Sequence, residues 1–370
     1  MKRVFHLLGS LEVGGKERVA LQLARRARRA GFDHRLMLFD APPRGIPLDL
    51  DPGDVPWSFV PRGPGLDLGF VRRVAGELRR YGADAVHAHN DSAVFYAVLA
   101  ARLTGIGRRR TAVIGTFHTR PGHETRLGRR ATLLATQGAD AITSVSDELA
   151  ELLQDLRWTR APEVIWNGID EEEFRATGPD GDWRRKLGVP DGTPLVGHVG
   201  RHDPVKRQLD LVDAARSLVE VGVALHLVFV GDGPGRSAFA ERTRDLPWVR
   251  VIDRVADVAA LLRALDVFVL CSSHEAAPRA LMEAMSCGRA CIATAVGGVP
   301  TLVTTDEGGT AVRLVPPAQP RVLAESLRGL LADESERLSL GVAARRRMAA
   351  FSSEREWSAY SELYARVCGR

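Results

Sequence analysis

The feature that most constrains the fold of this chain is a repeated alternation of short apolar runs with helical patterns. In the first half, the apolar runs are VFHLL (4–8), HRLMLF (34–39), ADAVHAH (83–89), TAVIGTFH (111–118), AITSVS (141–146) and PEVIWNG (162–168). The first run precedes a glycine turn and ERVALQLARRARRAG (17–31), whose apolar residues recur at helical spacing and which ends in glycine. Continuous apolar strands separated by helices predict a parallel sheet covered on both faces.

The alternation stops at residues 170–194, which are polar, acidic and rich in turns, and then starts again. The second series is PLVGHVG (194–200), HLVFVGDG (226–233), VRVI (249–252), VFVLCS (267–272), RACIAT (289–294) and TAVRLV (310–315). We therefore predict an α/β chain with two doubly wound Rossmann-like domains, residues 1–170 and 171–350, facing each other across a cleft. Residues 351–370 show the pattern of an amphipathic helix, which we expect to pack back toward the first domain.

Composition supports a globular protein without a membrane span. The chain has 370 residues, of which 45% are hydrophobic and 26% charged, and this length suits two domains of medium size. The start, MKRVFHLLGS, has too short an apolar run for a signal peptide, so we interpret it as a buried strand. No apolar stretch approaches the ~20 residues needed to cross a bilayer. We expect a cytoplasmic protein.

The net charge of +5 is concentrated in the first domain, where residues 1–170 contain 25 basic and 19 acidic side chains. Arginine runs occur at 25–29, 72–73, 79–80 and 108–110. Such runs are usually solvated helix faces and loops. The alternative is attraction to an acidic membrane surface or a phosphorylated acceptor, which would place the protein peripherally at the cytoplasmic face of the membrane.

The four cysteines, Cys271, Cys287, Cys291 and Cys368, indicate small core residues in a reducing compartment. Cys287 and Cys291 have no His or Cys partners at the spacing of a zinc site, so we exclude a zinc site at these cysteines.

The first strand ends in GSLEVGGKERVA, which contains two adjacent glycines, Gly14 and Gly15. A Walker A loop would need lysine directly after Gly14, and GxGxxG is also absent. The glycines still allow a ligand to approach the backbone where the next helix begins, and a helix N-terminus favours anions. A plain strand-to-helix turn explains the pattern equally well.

In the second half, charged residues follow several of the predicted strands. Arg201 and Lys206 flank a loop after the strand that ends at Gly200, where two cations would clamp a diphosphate. The alternative is two exposed loop cations. The turn GDGPG (231–235) follows the next strand, and ATAVGGVP (293–300) provides another glycine pair.

Two glutamates lie in the small, apolar segment SSHEAAPRALMEAMSCG (272–288). Glu275 precedes a predicted helix that begins near Pro278, and Glu283 lies within it. Carboxylates are rarely buried without partners. Either Glu283 pairs with a nearby cation, or both carboxylates accept hydrogen bonds from ligand hydroxyls. Together with the cations, they suit a ligand with an anionic centre and hydroxyl-rich ends, such as a nucleotide diphosphate sugar.

These segments resemble retaining glycosyltransferases of family 4, which have the GT-B fold and a Glu-x7-Glu signature. SSHEAAPRALMEAMSCGRACIATAVGGVP resembles the signature, LEVGGKERVALQLA the N-terminal Gly-Gly loop, and GTFHT the strand that ends in histidine. VIWNGID, VGRHDPVKRQ and VGDGPGR resemble the family's domain-closing, phosphate-clamp and second-strand motifs. The resemblance extends over nearly the whole chain, in order and spacing.

The resemblance implies a role for each candidate residue. Arg201 and Lys206 would neutralise the donor diphosphate, Glu283 would hold the ribose hydroxyls, and Glu275 would contact the donor sugar and stabilise its positive centre. His118 would reach the donor sugar when the cleft closes, whereas His87 and His89 would have structural or acceptor-edge roles. Backbone N–H groups of Gly14, Gly15 and the 276–279 loop would line the pocket; the residues of this loop are Ala276, Ala277, Pro278 and Arg279. Three further residues would lie beside the nucleobase: Ile252, Asp253 and Arg254.

The implied reaction is transfer of a hexosyl group from a UDP- or GDP-linked sugar to a hydroxyl acceptor, with retention of anomeric configuration and without a metal or other cofactor. The acceptor would be a lipid-linked saccharide, a phosphorylated or small metabolite, or a surface polymer in glycan, glycolipid or polysaccharide biosynthesis. Nothing points to nucleic acid as a partner. Ala276, Ala290 and Thr301 replace residues common in the family, which puts the identity of the donor in doubt more than the activity.

Four other functions are consistent with parts of the pattern. An epimerase of the same fold would turn over a nucleotide sugar without an acceptor, and a phosphorylase would need inorganic phosphate. A non-catalytic binder would not need the complete set of two cations and two carboxylates. A dinucleotide-dependent dehydrogenase would need the glycine fingerprint that the first turn lacks.

Overall fold

The computed structural model describes residues 2–12, 14–40, 50–105, 110–122, 130, 133, 136–155, 161–178 and 180–369. The chain forms two compact units. Unit 1 consists of Met1–Gly168 and Ser353–Arg370, and unit 2 of Ile169–Ser352. The division lies two residues before the predicted boundary at 170, and the C-terminal segment belongs to unit 1.

Unit 1 contains a seven-stranded sheet in the order β3-β2-β1-β4-β5-β6-β7, and all its strand pairs are parallel. The strands are β1 (Arg3–Leu8), β2 (Asp33–Leu38), β3 (Trp57–Phe59), β4 (Ala85–His89), β5 (Ala112–Phe117), β6 (Ala141–Ser144) and β7 (Glu163–Val164). The described helices of the first segment are α1 (Gly15–Arg29), α2 (Leu68–Tyr81), α3 (Asp91–Thr104) and α4 (Asp147–Asp155).

The apolar faces of the helices explain how the unit 1 sheet is buried. Helix α1 turns Val19, Leu23 and Ala27 inward, at the four-residue spacing of one helix face. Helix α2 is capped by the Asp67 carboxylate, which accepts a hydrogen bond from the Phe70 N–H, and ends at Gly82 in a left-handed conformation with φ 66°. The central strands β4 and β5 are buried along their whole length, as a sheet covered on both faces requires.

Unit 2 contains a six-stranded parallel sheet in the order β10-β9-β8-β11-β12-β13. Its strands are β8 (Leu195–Val199), β9 (His226–Val230), β10 (Val249–Ile252), β11 (Val267–Leu270), β12 (Ala290–Thr294) and β13 (Arg313–Val315). The helices of unit 2 are α5 (Trp183–Lys186), α6 (Gln208–Glu220), α7 (Arg236–Thr243), α8 (Val258–Ala264), α9 (Arg279–Ser286), α10 (Val299–Val303), α11 (Pro320–Ala332) and α12 (Glu334–Met348). The structure therefore confirms two parallel α/β domains.

The final helix, α13 (Ser353–Cys368), packs in unit 1 against the start of the sheet. Trp357, Tyr360 and Tyr364 belong to the same buried cluster as Val4 and Ile114. The helix thus shares with Leu23 and Ala27 of α1 the cluster that covers these sheet residues. Within the described ranges, no helix is both long and apolar enough to cross a membrane.

Candidate active site

In unit 2, the candidate residues follow two adjacent strands, β8 and β11, at the point where the strand order reverses. Strand β8 is paired with β9 on one side and with β11 on the other. After β8 the chain continues to β9 on one side, and after β11 it continues to β12 on the other, so it runs in opposite directions from these two strands. Such a switch point is where doubly wound sheets bind ligands.

The loop after β8 is fixed to the loop after β11 by backbone contacts. The Ser273 N–H donates to the Val205 carbonyl at 2.8 Å. Within the loop after β8, the Gln208 side chain donates to the Arg201 carbonyl at 2.7 Å. The Asp203 carboxylate caps a short 3₁₀ turn, Pro204–Lys206, by accepting from the Val205 N–H. These bonds hold Lys206 beside the segment that follows β11.

Lys206 and Glu275 form an ion pair at the centre of this arrangement. The Lys206 Nζ lies 2.7 Å from the Glu275 Oε1, and the Ser272 hydroxyl donates to the same oxygen at 2.6 Å. Glu275 is 8% exposed. Among the described residues, none donates a hydrogen bond to the Glu275 Oε2, so this oxygen is available to a ligand hydroxyl.

The ion pair does not use all the donors of Lys206. An ammonium group has three N–H donors, and the protein uses one of them for Glu275. The pair therefore offers two N–H donors and one carboxylate oxygen at one place. This combination suits a ligand that carries an anionic group next to a hydroxyl group.

Arg201 differs from Lys206 in being exposed and weakly paired. Its side chain is 59% exposed, and its guanidinium lies 4.0 Å from the Asp203 carboxylate. Its carbonyl is fixed by Gln208, whereas its side chain is not held by a short contact. Arg201 can therefore reorient toward an anion at little cost.

Glu283 lies inside helix α9 and pairs with Arg279, one turn earlier. The Arg279 Nε donates to the Glu283 Oε1 at 3.2 Å, and both side chains are less than a tenth exposed. The structure thus shows the cation pairing that the sequence left open for Glu283. The proposed contact of Glu283 with ribose stays a prediction.

The loop before α9 shows how backbone groups are available near Glu275. Ala276 and Pro278 are buried, Ala277 is partly exposed, and the Glu275 carbonyl accepts from the Gly298 N–H at 3.1 Å. Pro278 caps the helix and has no N–H, so it cannot donate to a ligand as its neighbours can. The segment expected to line the pocket therefore offers three N–H groups at most.

The candidates for the nucleobase lie after β10, on the outer strand of the same edge. Ile252 is partly exposed and its carbonyl accepts from the Gly231 N–H at 3.1 Å. Asp253 pairs with Arg236, and Arg254 donates to Asp232 at 3.2 Å. These contacts place the three residues at the carboxyl edge of the sheet without showing a base site.

In unit 1, Gly14 and Gly15 begin helix α1, but the Glu17 side chain already occupies the N-terminal end of this helix. A Cβ atom on Gly14 would lie 2.2 Å from the Glu17 Oε2. Lys16 lies 3.3 Å from the other oxygen of Glu17, and burial raises the pKa of Glu17. An anion at this helix end would therefore compete with the Glu17 carboxylate.

His118 follows β5 and is held through its backbone by Asn90. The His118 N–H donates to the Asn90 Oδ1 at 2.9 Å. Asn90 has φ 71° and ψ 172°, a region that is essentially restricted to glycine and that costs free energy for any other residue. Burial, with a smaller contribution from the nearby Lys16 charge, lowers the pKa of His118 to about 3. His118 is therefore neutral at physiological pH.

Buried histidines surround His118 in the sheet. Ring nitrogens of His6, His87 and His89 lie within 4.8 Å of one another, the distance range of a metal-ligand set. However, the rings of His6 and His89 are nearly parallel, at 17°, and are hydrogen-bonded to each other through their nitrogens at 3.1 Å. Both nitrogens of His6 and both of His87 are already hydrogen-bonded, which favours a hydrogen-bonded network over a metal site.

The structure thus brings together only some of the residues predicted from the sequence. Lys206 and Glu275 are in contact, and Arg201 is on the same loop. Gly14, Gly15 and His118 belong to the other unit. Sequence reasoning missed Ser272 and Asn90, although each directly follows or lies beside a predicted strand end, where a polar side chain is a signal of a site.

Comparison with known proteins gives matches over most of the chain. The family model described as Glycosyltransferase Family 4 matches residues 13–173, and Glycosyl transferases group 1 matches residues 193–333. N-acetyl-alpha-D-glucosaminyl L-malate synthase of Bacillus anthracis is 27% identical over 315 residues, 81% of this chain and 79% of that protein. D-inositol 3-phosphate glycosyltransferase of Stackebrandtia nassauensis is 29% identical over 343 residues, 82% of this chain and 76% of that protein.

Among solved structures, Anabaena Alr3699/HepE in complex with UDP-glucose superposes with a TM-score of 0.84. It is 21% identical, and the superposition covers 99% of this chain and all of that one. At this identity the match shows the fold, which is GT-B.

Proposed function

Because the chain belongs to the glycosyltransferases of family 4, matched by two family models over 13–173 and 193–333, we propose that it transfers a sugar from a nucleotide diphosphate sugar to a hydroxyl acceptor with retention of configuration. The donor carries UDP or GDP, and the product belongs to glycan, glycolipid or cell-surface polysaccharide synthesis. The observation that carries the proposal is the Lys206–Glu275 pair at the switch point of the unit 2 sheet.

The proposed chemistry follows from the charges of this pair. Lys206 donates its two remaining N–H groups to diphosphate oxygens, and Arg201 turns its exposed guanidinium toward the same phosphates. Both cations stabilise the charge that develops on the leaving nucleotide diphosphate. We propose that they supply the positive charge that a metal ion supplies in other transferases.

The role of Glu275 follows from its two oxygens. Oε1 is held by Lys206 and Ser272, which fixes the direction of the carboxylate. Oε2 accepts a hydrogen bond from a hydroxyl of the donor sugar, and the negative charge stabilises the positive centre that forms on the sugar. Because Ser272 is fully buried, the carboxylate is positioned before the substrate binds.

The experiment measures binding first and turnover second. A thermal-shift screen against UDP, GDP, ADP and their common sugar conjugates identifies the donor. Isotope-labelled donor and NMR of the product then give the anomeric configuration, with and without EDTA. An inverted product would refute retention, loss of activity in EDTA would refute metal independence, and no stabilisation by any nucleotide sugar would refute the function.

Variants at the pair test the assigned roles. Glu275→Ala is expected to lower kcat more than it raises the Kd of the donor, because its carboxylate acts mainly on the charge that develops during transfer. Arg216→Met serves as a control, since this exposed cation of unit 2 lies 3.7 Å from Asp213 and away from both loops. Unchanged turnover of Glu275→Ala would show that the carboxylate has no part in catalysis.

A further inference from the structure

Four imidazoles of unit 1 form a single line of hydrogen bonds that ends at His118. The His34 Nδ1 lies 2.9 Å from the His6 Nε2, the His6 Nδ1 3.1 Å from the His89 Nε2, and the His89 Nδ1 3.0 Å from the His118 Nε2. We call these four residues the histidine file. All four are buried, with exposures from 0% to 8%.

Sheet register explains why the four rings meet. In β4, His87 and His89 point to the same face because they are two residues apart. His6 of β1 is opposite His87, and His34 of β2 is opposite Val4, two residues before His6. The rings therefore run diagonally over one face, from the start of β2 to the carboxyl edge at His118. The His118 ring, at the carboxyl edge of the sheet, is thus connected by hydrogen bonds to the His34 ring in the interior of unit 1.

The file has only two consistent hydrogen-bonding states. Burial lowers the pKa of every ring in it, so each imidazole is neutral and has one donor and one acceptor nitrogen. If one ring carries its proton on Nε2, its neighbours must do the same, and the alternative is Nδ1–H in all four. The tautomer of His118 is therefore coupled to that of the other three rings.

The two ends of the file differ in what they can contact. Neither the His34 Nε2 nor the His118 Nδ1 has a partner within the described part of the chain. The His34 ring is surrounded by Phe32, Trp357 and Tyr364, whose rings are tilted by 71° to 88° from it. Both nitrogens are buried, but His118 follows β5 at the carboxyl edge of the sheet, where a ligand that displaces the groups covering Nδ1 can supply the missing partner.

Several effects select the all-Nε2–H state. Nε2–H is the favoured tautomer of neutral histidine in water, and the file adds this preference over four rings. An N–H at the His34 end can point to an aromatic face, whereas a lone pair there would be repelled. Each end also lies near a cation, Lys16 at His118 and Arg28 at His34. Because these two charges act in opposite directions, the selection rests on the first two effects.

We propose that His34, His6 and His89 are positioning residues that hold His118 as the Nε2–H tautomer. The His118 Nδ1 is then a fixed hydrogen-bond acceptor for a hydroxyl of the sugar substrate. The tautomer itself is independent of the proposed function, whereas the identity of the ligand hydroxyl rests on it. His118 in this state cannot act as a proton donor from Nδ1.

The direct test is NMR of the full chain with ¹⁵N-labelled histidine rings, in which long-range ¹H–¹⁵N correlations distinguish the tautomers. We expect Nε2–H in all four rings of the file, assigned by single His→Gln variants. His198 provides an internal reference for the opposite tautomer, because its Nδ1 donates to the Val269 carbonyl at 2.9 Å. Nδ1–H at His118 in the wild-type protein would overturn the proposal without any variant.

Two variants test the coupling. His6→Phe breaks the file at its centre and is expected to give a mixture of tautomers at His118. His87→Phe is the matched control, because His87 is equally buried in the same layer but bonds to Thr116 and Tyr364 instead. If His6→Phe does not fold, His34→Phe at the far end is expected to produce the same mixture. An unchanged His118 spectrum in a folded variant would overturn the coupling.

A binding measurement separates this proposal from the proposed function. His6→Phe is expected to weaken the binding of the nucleotide sugar about twofold, because an equal mixture of tautomers halves the competent fraction, and to leave the affinity for the free nucleotide diphosphate unchanged. Equal weakening of both ligands would indicate a general structural defect and overturn the positioning role. If the wild-type protein binds no nucleotide sugar, the proposed function fails while the tautomer result stands.

Discussion

Replacement of Lys206 by methionine tests whether the central ion pair stabilises unit 2 as well as binding a ligand. The substitution removes the 2.7 Å contact to Glu275 and leaves a carboxylate that is 8% exposed with Ser272 as its donor. A hydrogen bond to a charged group contributes roughly 1.5–3 kcal/mol. We therefore expect unit 2 to lose about 2 kcal/mol, or about 4–8 °C in the midpoint of its thermal unfolding.

Arg201→Met is the matched control for this loss of stability. Arg201 is 59% exposed and lies 4.0 Å from its nearest carboxylate, so its removal is expected to change stability by less than about 0.5 kcal/mol. Both variants are expected to weaken the binding of the free nucleotide diphosphate, since both remove a cation from one loop. Only Lys206→Met combines the loss of binding with the loss of stability.

The measurements are differential scanning calorimetry for stability and isothermal titration calorimetry for binding. The double variant Lys206→Met/Glu275→Gln completes the cycle, because the neutral amide no longer leaves a charge unpaired. The free energy of unfolding of the double variant is expected to exceed that of Lys206→Met by about 1 kcal/mol. Unfolding of Lys206→Met at the wild-type temperature, or equal destabilisation by Arg201→Met, would refute the reasoning.

Three further predictions concern the backbone and the histidines. Asn90→Gly is expected to be more stable than Asn90→Ala by about 1–2 kcal/mol in urea unfolding, because only glycine relieves φ 71°; equal stabilities would exclude strain. His34 and His118 have a pKa of about 3 in the folded protein and of about 6.5 in the unfolded chain. On acidification from pH 7.5 to 5, only the unfolded chain therefore takes up protons at these side chains, and the free energy of unfolding of unit 1 should fall by about 2 kcal/mol per histidine. A calorimetric midpoint that stays constant from pH 7.5 to 5 would contradict this. Gly231→Ala places a Cβ 2.1 Å from the Gly200 carbonyl and should displace the loop that follows β8, whereas Gly222→Ala meets no neighbour and should cost only about 1–2 kcal/mol in the same calorimetric scan. Similar effects of both would refute the close approach.

Most strands were predictable because burial on both faces leaves a continuous apolar run in the sequence. The exception is β3, Trp57–Phe59, which has three residues and a partly exposed tryptophan at its start. The run PEVIWNG forms only the two-residue edge strand Glu163–Val164, since an edge strand needs pairing on one side only. Short edge strands are thus the part of the sheet that the apolar pattern does not determine.

For the site, the types of residues were readable from the sequence, but not their partners. Arg201 and Glu275 each follow an apolar run, which identified them as candidates. The contact between Lys206 and Glu275, separated by 69 positions, depends on β8 lying beside β11. Neighbouring strands in a parallel sheet are connected through crossovers, so the order of the strands is not written in any local pattern.

The sequence by itself determined two α/β domains, the buried strands and the polar residues at their carboxyl ends, because these depend on hydrophobic period and local turn chemistry. Only the tertiary structure decided that Glu283 pairs with Arg279, that Glu17 occupies the start of α1, and that four histidines from separate strands form one line. The line of histidines depends on strand order and register, which place side chains distant in sequence within hydrogen-bonding distance. Glu283 and Glu17 instead contact groups within one turn of their own helix, where the sequence allows the contact and the packed structure selects it.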